Sequence, residues 1–222
     1  MNPTIVSAHP TGSRKAQTSD TIGVLAICGG AGYAVAATKI DRRIKALGTV
    51  VGSNVGRLMR EGFSEYNPMG MLEAIAAQRT AEARGQAQVI NDLLPPSVEA
   101  AKQAGVTDID VLEATDYYKT DRGQAPGGKT SFNFGRQAAL ADWDAYDRVE
   151  VFLTQPLCVV IGDKPGAFAS QRLSMELYGR AASKDKQLVV VEGASHYDLY
   201  DQPGPTGEAL ENLVPFFGKH LS

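Results

Sequence analysis

The stretch GVLAICGGAGYAVAA, residues Gly23 to Ala37, is the part of this chain that most clearly indicates its fold. An apolar run ends at Cys28, and two glycines and a series of small, helix-forming residues follow it. This order predicts a strand, a sharp turn at the cysteine and then a helix. The residues two before and two after the cysteine, Ala26 and Gly30, are both small, as such a turn requires.

A nucleophile on a sharp strand-to-helix turn explains these residue types. The helix after the turn points its positive end at Cys28, which favours the reactive thiolate. The backbone N–H of Gly29 is then placed to hold the oxygen that becomes negative during attack on a carbonyl. We therefore identify Cys28 as the candidate nucleophile and Gly29 as a candidate oxyanion donor.

Two alternative roles of the same stretch stay open. Cys28 can be a small buried residue in a glycine-rich packing turn. The glycines between a strand and a helix can also bind a phosphate. The phosphate site is the weaker alternative, because no Lys-Ser/Thr pair follows and the spacing matches the dinucleotide fingerprint only loosely.

Four further apolar runs predict strands: Thr4 to Ala8, Ile44 to Gly52, Leu157 to Asp163 and Gln187 to His196. The runs are almost continuously apolar, which is typical of parallel strands covered on both faces. Helical patterns lie between them and after the last one. This alternation predicts an α/β fold with a mostly parallel, doubly wound sheet. A chain of 222 residues has the size of a single domain of this kind.

Residues from about 54 to 147 interrupt the alternation. They include an Ala-, Glu- and Arg-rich pattern from Met71 to Leu94, which predicts a long helix stopped by Pro95 and Pro96. We predict a mostly helical insertion in the single domain of residues 1–222, and we expect it to form a lid over a site. An ordinary helical subdomain without a gating role is the alternative.

An acid and a base follow two of the predicted strands. Asp163 comes directly after one strand and His196 lies in a loop after the next, so the order nucleophile, acid, histidine is satisfied. Asp163 can instead be a turn residue before Pro165, and His196 a loop histidine that caps the next helix. At the end of the first strand, the backbone of Thr11 or Gly12 is expected to complete the oxyanion hole.

Composition excludes several classes of function. A formal net charge of −3 with scattered basic residues argues against a nucleic-acid partner. Two cysteines cannot form a disulfide framework. Three separated histidines offer no metal site, so we expect no metal. We expect no organic cofactor either, because covalent acyl chemistry needs none. The first residues lack the pattern of a signal peptide, and no run has the length of a membrane span. These features predict a cytoplasmic protein without a membrane partner.

Four motifs together resemble one branch of the dienelactone hydrolase-like α/β hydrolases: GVLAICGGAGYAVAA, DRRIKALGTVVG, VVIGDKPGAF and VEGASHYDLYDQP. That branch includes fungal polyketide transferases and thiohydrolases. The resemblance implies the α/β-hydrolase fold and assigns nucleophile, acid and base to Cys28, Asp163 and His196. Members of the branch carry a longer segment before the elbow strand, where only Ser13 to Thr21 stands here. We therefore expect a sheet reduced to about five strands, with an uncovered edge that favours association of copies.

The expected activity is acyl transfer through an acyl-enzyme formed on Cys28. Esters and thioesters are the expected small-molecule substrates, and the resemblance adds polyketide acyl thioesters and an acyl-carrier protein as a further partner. Hydrolysis and transfer to an alcohol both stay open. The alternative is an inactive, truncated hydrolase-like protein that acts as an interaction or structural module.

Overall fold

A computed structural model describes residues 4–8, 20–61, 67–125, 128 and 130–222. The strands in these ranges are β1 (Thr4–Ala8), β2 (Ile22–Ile27), β3 (Ile44–Val50), β4 (Ile90–Asp92), β5 (Ser131–Asn133), β6 (Leu157–Gly162) and β7 (Lys186–Val191). The helices are α1 (Gly30–Ile40), α2 (Val55–Glu61), α3 (Pro68–Ala83), α4 (Val98–Gln103), α5 (Ile109–Lys119), α6 (Ala138–Asp142), α7 (Val149–Phe152), α8 (Ser170–Arg180), α9 (Asp198–Asp201) and α10 (Pro203–Leu221). A 3₁₀ turn covers Phe134–Arg136.

The main sheet contains the five strands that the sequence predicts. Their order is β1-β2-β3-β6-β7, and every neighbouring pair is parallel. The last residues of β2 and β3 are level with each other, since Ile27 pairs with Val50, and Val50 in turn pairs with Val160 of β6. The carboxyl ends of these strands therefore meet at one edge, which is where parallel α/β sheets place their functional groups.

Helices cover both faces of this sheet, as the doubly wound prediction requires. The side chains of α10 pack on the face formed by alternate residues of β3, β6 and β7. Gly48 permits this close approach, because a Cβ there would lie 2.9 Å from Leu213 and 3.0 Å from Phe217. Helices α1 and α8 pack against β2, β3 and β6 from the other face. No helix of the described ranges, α10 included, has the length and apolarity needed to cross a membrane.

The described residues divide into two compact units. One comprises the described residues of Met1–Val55, Asp144–Pro165 and Ala169–Ser222, and it holds the main sheet. The other comprises the described residues of Gly56–Trp143 with Gly166–Phe168. This second unit is mostly helical and contains the antiparallel pair β4 and β5. Its extent is close to that of the predicted insertion, whose role as a lid stays a prediction.

The long helix predicted from Met71 to Leu94 ends earlier than expected. Helix α3 stops at Ala83, and Gly85 adopts a left-handed conformation with φ of 92°. The N–H groups of Gly85 and Gln86 donate to the carbonyls of Glu82 and Ala81, which closes the helix end with a Schellman motif. The predicted end at Pro95 and Pro96 is wrong, because the left-handed Gly85 lets the chain close the last turn of α3 well before the prolines.

Candidate active site

The turn after β2 has the geometry that the sequence predicts for a nucleophile. Cys28 follows the strand directly and has a φ of 52°, a left-handed conformation that costs a non-glycine residue about 1–2 kcal/mol. Its N–H donates to Val50 at 3.0 Å, and its carbonyl accepts from both Ala31 and Ser53 at 3.0 Å. These bonds tie the turn to the end of β3, to the segment after β3 and to α1. The Cys28 side chain is half-buried.

The residues around this turn are small. Ala26 is fully buried, and Gly30 is buried at the first position of α1. A Cβ on Gly29 would lie 3.0 Å from Val55 Cγ2. Gly29 is the N-cap residue of α1, so its N–H belongs to the first turn, where amides lack partners within the helix. That position is compatible with an oxyanion donor, a role that stays a proposal.

His196 lies in the loop after β7, at the same edge of the sheet as Cys28. The residue is only 2% exposed, and the rings of Tyr197 and Tyr200 lie 5.0 and 5.5 Å away. Burial lowers the pKa of His196 to about 3, so the imidazole is neutral at neutral pH. Its Nδ1 lies 2.9 Å from Ser170 Oγ, at the start of α8.

Asp163 follows β6 directly, as predicted, but its carboxylate does not reach the imidazole. The side chain is exposed, and Oδ1 accepts a hydrogen bond from the Gly193 N–H at 2.8 Å. Gly193 has a φ of 72°, which turns its N–H toward Asp163. Among the described residues, the partner of His196 Nδ1 is therefore the Ser170 hydroxyl, and Asp163 instead bonds the loop that carries the histidine.

That loop folds back over the end of β6. A Cβ on Gly162 would clash with the carbonyl of Ala194, and the Lys164 N–H donates to the same carbonyl at 3.2 Å. Since β6 lies between β7 and β3, this fold-back carries His196 from the edge strand toward the centre of the sheet. Gly162 is thus required for the position of the histidine.

Comparison with known proteins identifies the fold. The chain is 36% identical over 204 residues to the uncharacterised protein YcjY of Escherichia coli, covering 90% of this chain and 64% of YcjY. The crystal structure of the hypothetical protein PA2218 of Pseudomonas aeruginosa superposes with a TM-score of 0.78 at 26% identity, covering 92% and 62%. The α/β hydrolase GrgF of Penicillium sp. sh18 superposes with a TM-score of 0.60 at 15% identity, covering 95% and 66%. The chain has the α/β-hydrolase fold.

Within this fold, the chain spans less than two thirds of the length of YcjY and of PA2218. No family model matches the sequence. The superpositions confirm the α/β-hydrolase fold that the resemblance implies, while the dienelactone hydrolase-like branch stays a prediction. Thr11 and Gly12, the predicted second half of the oxyanion hole, lie outside the described residues. In the part of the chain that is described, no three His, Cys, Asp or Glu side chains are close enough to hold a metal ion.

Ser170 is a residue of this candidate site that could not be singled out from the sequence. It is the first residue of α8 and is buried, and Ser174 one turn later donates to the Gly52 carbonyl at 3.1 Å. Gly52 precedes Ser53, whose N–H bonds the Cys28 carbonyl. One face of α8 therefore contacts both the histidine loop and the segment that holds the elbow. A serine that opens a helix after a predicted acid was the only signal in the sequence.

Proposed function

We propose that this chain cleaves small esters or thioesters through an acyl-enzyme formed on Cys28, with His196 as the base. The observation that carries the proposal is the left-handed φ of 52° at Cys28, directly after a central parallel strand. Strained backbone of this kind persists where the surrounding structure over-determines it, and it clusters at active sites. The α/β-hydrolase fold supports the same conclusion, since its nucleophile occupies this turn.

In the first step, the His196 nitrogen that faces away from Ser170 takes the proton from the Cys28 sulfur. The sulfur forms a bond to the carbonyl carbon, and the carbonyl electrons move to its oxygen. The Gly29 N–H and, in the expected arrangement, the backbone of Thr11 or Gly12 hold this oxygen. When the carbonyl re-forms, the leaving alkoxide or thiolate takes the proton from His196. Water then attacks the acyl group by the same route and regenerates the thiol.

Burial of His196 decides when the proton moves. Because burial favours the neutral ring, a stable imidazolium–thiolate pair is disfavoured, and the thiol loses its proton during attack on the substrate. Asp163 is the proposed acidic member of the site. It supports the base through the Gly193 backbone, which lies three residues before the histidine.

The finer proposal is an acyl thioester as substrate, with a polyketide acyl chain and an acyl-carrier protein as its donor. Exchange of one thioester for another is nearly isoenergetic, whereas an amide would present a poor leaving group. An alcohol in place of water would turn the hydrolase into an acyltransferase, and the degree of water exclusion over the site decides between the two outcomes.

A non-catalytic role is the second candidate, and two observations favour it. His196 is almost completely buried, and the Asp163 carboxylate bonds the loop backbone rather than the imidazole. A hydrolase-like protein that had lost activity would keep the fold and the elbow but would not form an acyl-enzyme.

The test is trapping of the acyl-enzyme. Purified protein is mixed with the N-acetylcysteamine thioester of hexanoic acid, and the reaction is quenched in acid. The mass of the intact protein is then measured by mass spectrometry. The proposal predicts a hexanoyl adduct on the wild type, located at Cys28 by peptide mapping and absent from Cys28→Ala. Absence of the adduct in the wild type, or an equal adduct in Cys28→Ala, would favour the non-catalytic role.

A further inference from the structure

We propose that Ser170 is the residue that positions His196 for proton transfer, an inference that rests on the proposed role of His196 as the base. The Ser170 hydroxyl takes the place next to Nδ1 that a triad carboxylate would occupy. Asp163 then acts one step further away, by fixing the loop on which the histidine stands.

The contact between the two side chains is short and dry. Ser170 Oγ lies 2.9 Å from His196 Nδ1, and the exposed fractions of the two residues are 8% and 2%. Water therefore has little access to this pair, and loss of the hydroxyl would leave Nδ1 buried without this partner. The pair is part of the packed interior of the sheet-containing unit.

The backbone before Ser170 is strained in the same way as the elbow. Ala169, the N-cap residue of α8, has a φ of 53°, a conformation that glycine would adopt without strain. This left-handed residue redirects the chain immediately before the serine that bonds the imidazole. Cys28 and Ala169 are thus both held in a rare conformation next to the residues of the proposed chemistry.

The base needs the tautomer that carries its proton on Nδ1, and the Ser170 hydroxyl can accept from Nδ1–H at the observed distance. A neutral imidazole carries one proton, and the nitrogen without it accepts. When Ser170 Oγ accepts from Nδ1–H, the lone pair lies on Nε2, the nitrogen that takes the Cys28 proton. Since the buried ring is neutral, a neutral partner is sufficient to hold it. A carboxylate in the same place would be a buried, unpaired charge, which is unfavourable in free energy.

Asp163 differs from Ser170 because it bonds the backbone of the histidine loop and not the imidazole. Its Oδ1 accepts from the Gly193 N–H, and an asparagine side chain offers a neutral oxygen to the same donor. We therefore expect Asp163→Asn to retain the conformation of the loop that carries His196.

The experiment compares Ser170→Thr with Ser170→Val, two variants of the same shape that differ in the hydroxyl. The rate of acylation of Cys28 by p-nitrophenyl acetate is followed as the burst of p-nitrophenol between pH 6 and 10. The wild type, His196→Ala and Ser183→Ala are measured beside them. Ser183 is a matched control, since it is also a buried serine of the same unit, but it bonds the Asp185 carbonyl and not the imidazole.

The proposal predicts that Ser170→Val acylates about tenfold or more slowly than Ser170→Thr at pH 6 to 8, where the base is required. The ratio of the acylation rate of Ser170→Thr to that of Ser170→Val falls toward one above about pH 9, because an ordinary thiol ionises there without a base. Ser183→Ala behaves as the wild type. A merely structural role of Ser170 would lower the rate equally at every pH.

The outcomes separate this inference from the proposed function. If Ser170→Val matches Ser170→Thr at pH 7 while His196→Ala is slow, Ser170 does not position the base and the proposed function stands. The same conclusion follows if the Thr-to-Val ratio is independent of pH. If His196→Ala acylates as fast as the wild type, the role of His196 and the inference about Ser170 both fail.

Discussion

At the level of single residues, Cys28 combines a rare backbone conformation with a crowded surrounding. The small residues Ala26 and Gly30 made the turn predictable from the sequence, because a sharp strand-to-helix turn requires small residues two before and two after the cysteine. The partner of the histidine was not predictable. The Ser170 hydroxyl and His196 Nδ1 come together because of the paths of the loop before α8 and the loop after β7. No spacing in the sequence predicts that contact.

The left-handed conformation predicts the effect of two replacements at Cys28. Cys28→Gly relieves the strain and should be more stable to urea than Cys28→Ala by about 1 kcal/mol. The control is Ala26→Gly, at a buried strand position where the same loss of a methyl group is expected to destabilise by about 1 kcal/mol. Equal stabilities of Cys28→Gly and Cys28→Ala would contradict the strained turn.

At the level of strands and helices, the main sheet was predictable because parallel strands covered on both faces are almost continuously apolar. All of β6 is buried, for instance, and its sequence LCVVIG contains no charged residue. The end of α3 was misjudged because a Schellman motif depends on one glycine rather than on composition. The fold-back of the histidine loop over Gly162 was likewise not visible from the strand pattern.

This fold-back predicts that Gly162→Ala impairs both stability and the site. The new methyl group would meet the Ala194 carbonyl, and displacement of that loop should cost about 1–3 kcal/mol in unfolding free energy. Reaction of Cys28 with p-nitrophenyl acetate should slow as well, since His196 moves with the loop. Gly179→Ala in α8 is the control, because nothing lies within 4 Å of a Cβ there. It should stabilise by about 0.5–1 kcal/mol and leave the reaction rate unchanged.

Helix α5 carries a buried carboxyl group. Asp110 is 1% exposed, and its Oδ2 accepts from the Phe168 N–H at 2.9 Å. Burial, with smaller contributions from Asp108 and Glu113, raises the pKa of Asp110 to about 6. Because the folded state holds this proton more tightly than the unfolded state, stability is lost as the pH rises from about 4 to about 6.

The comparison with Asp110→Asn isolates this effect. Between pH 4 and pH 6, the unfolding free energy of the wild type should fall by on the order of 2 kcal/mol relative to that of the variant, and the difference should be constant above pH 7. Fluorescence of Trp143, the single tryptophan of the chain, reports on the unit that contains Asp110. Parallel pH dependences of the two proteins would show that Asp110 is not held protonated.

At the level of the whole molecule, the fold and the sharp turn at Cys28 were predictable from the sequence. The order of Cys28, Asp163 and His196 along the chain matches the α/β-hydrolase pattern, and that order can be read from the residues alone. Which groups bond one another depends on distances that only the folded chain defines. The activity is a proposal, since the chain spans less than two thirds of the length of YcjY and PA2218. Association of copies through a sheet edge, the expected acyl-carrier partner and the lid role of the helical unit stay predictions.

The most direct test of Cys28 as the nucleophile is its reactivity toward a limiting amount of iodoacetamide near neutral pH, followed by intact mass. The second cysteine is an internal reference, because burial raises the pKa of Cys158 to about 11 and keeps its thiol protonated. We predict fast, single labelling of Cys28, which is lost in Cys28→Ala and slowed in His196→Ala. Slow and equal labelling of Cys28 and Cys158 would contradict the proposed function, since it would mean that the elbow cysteine is not activated.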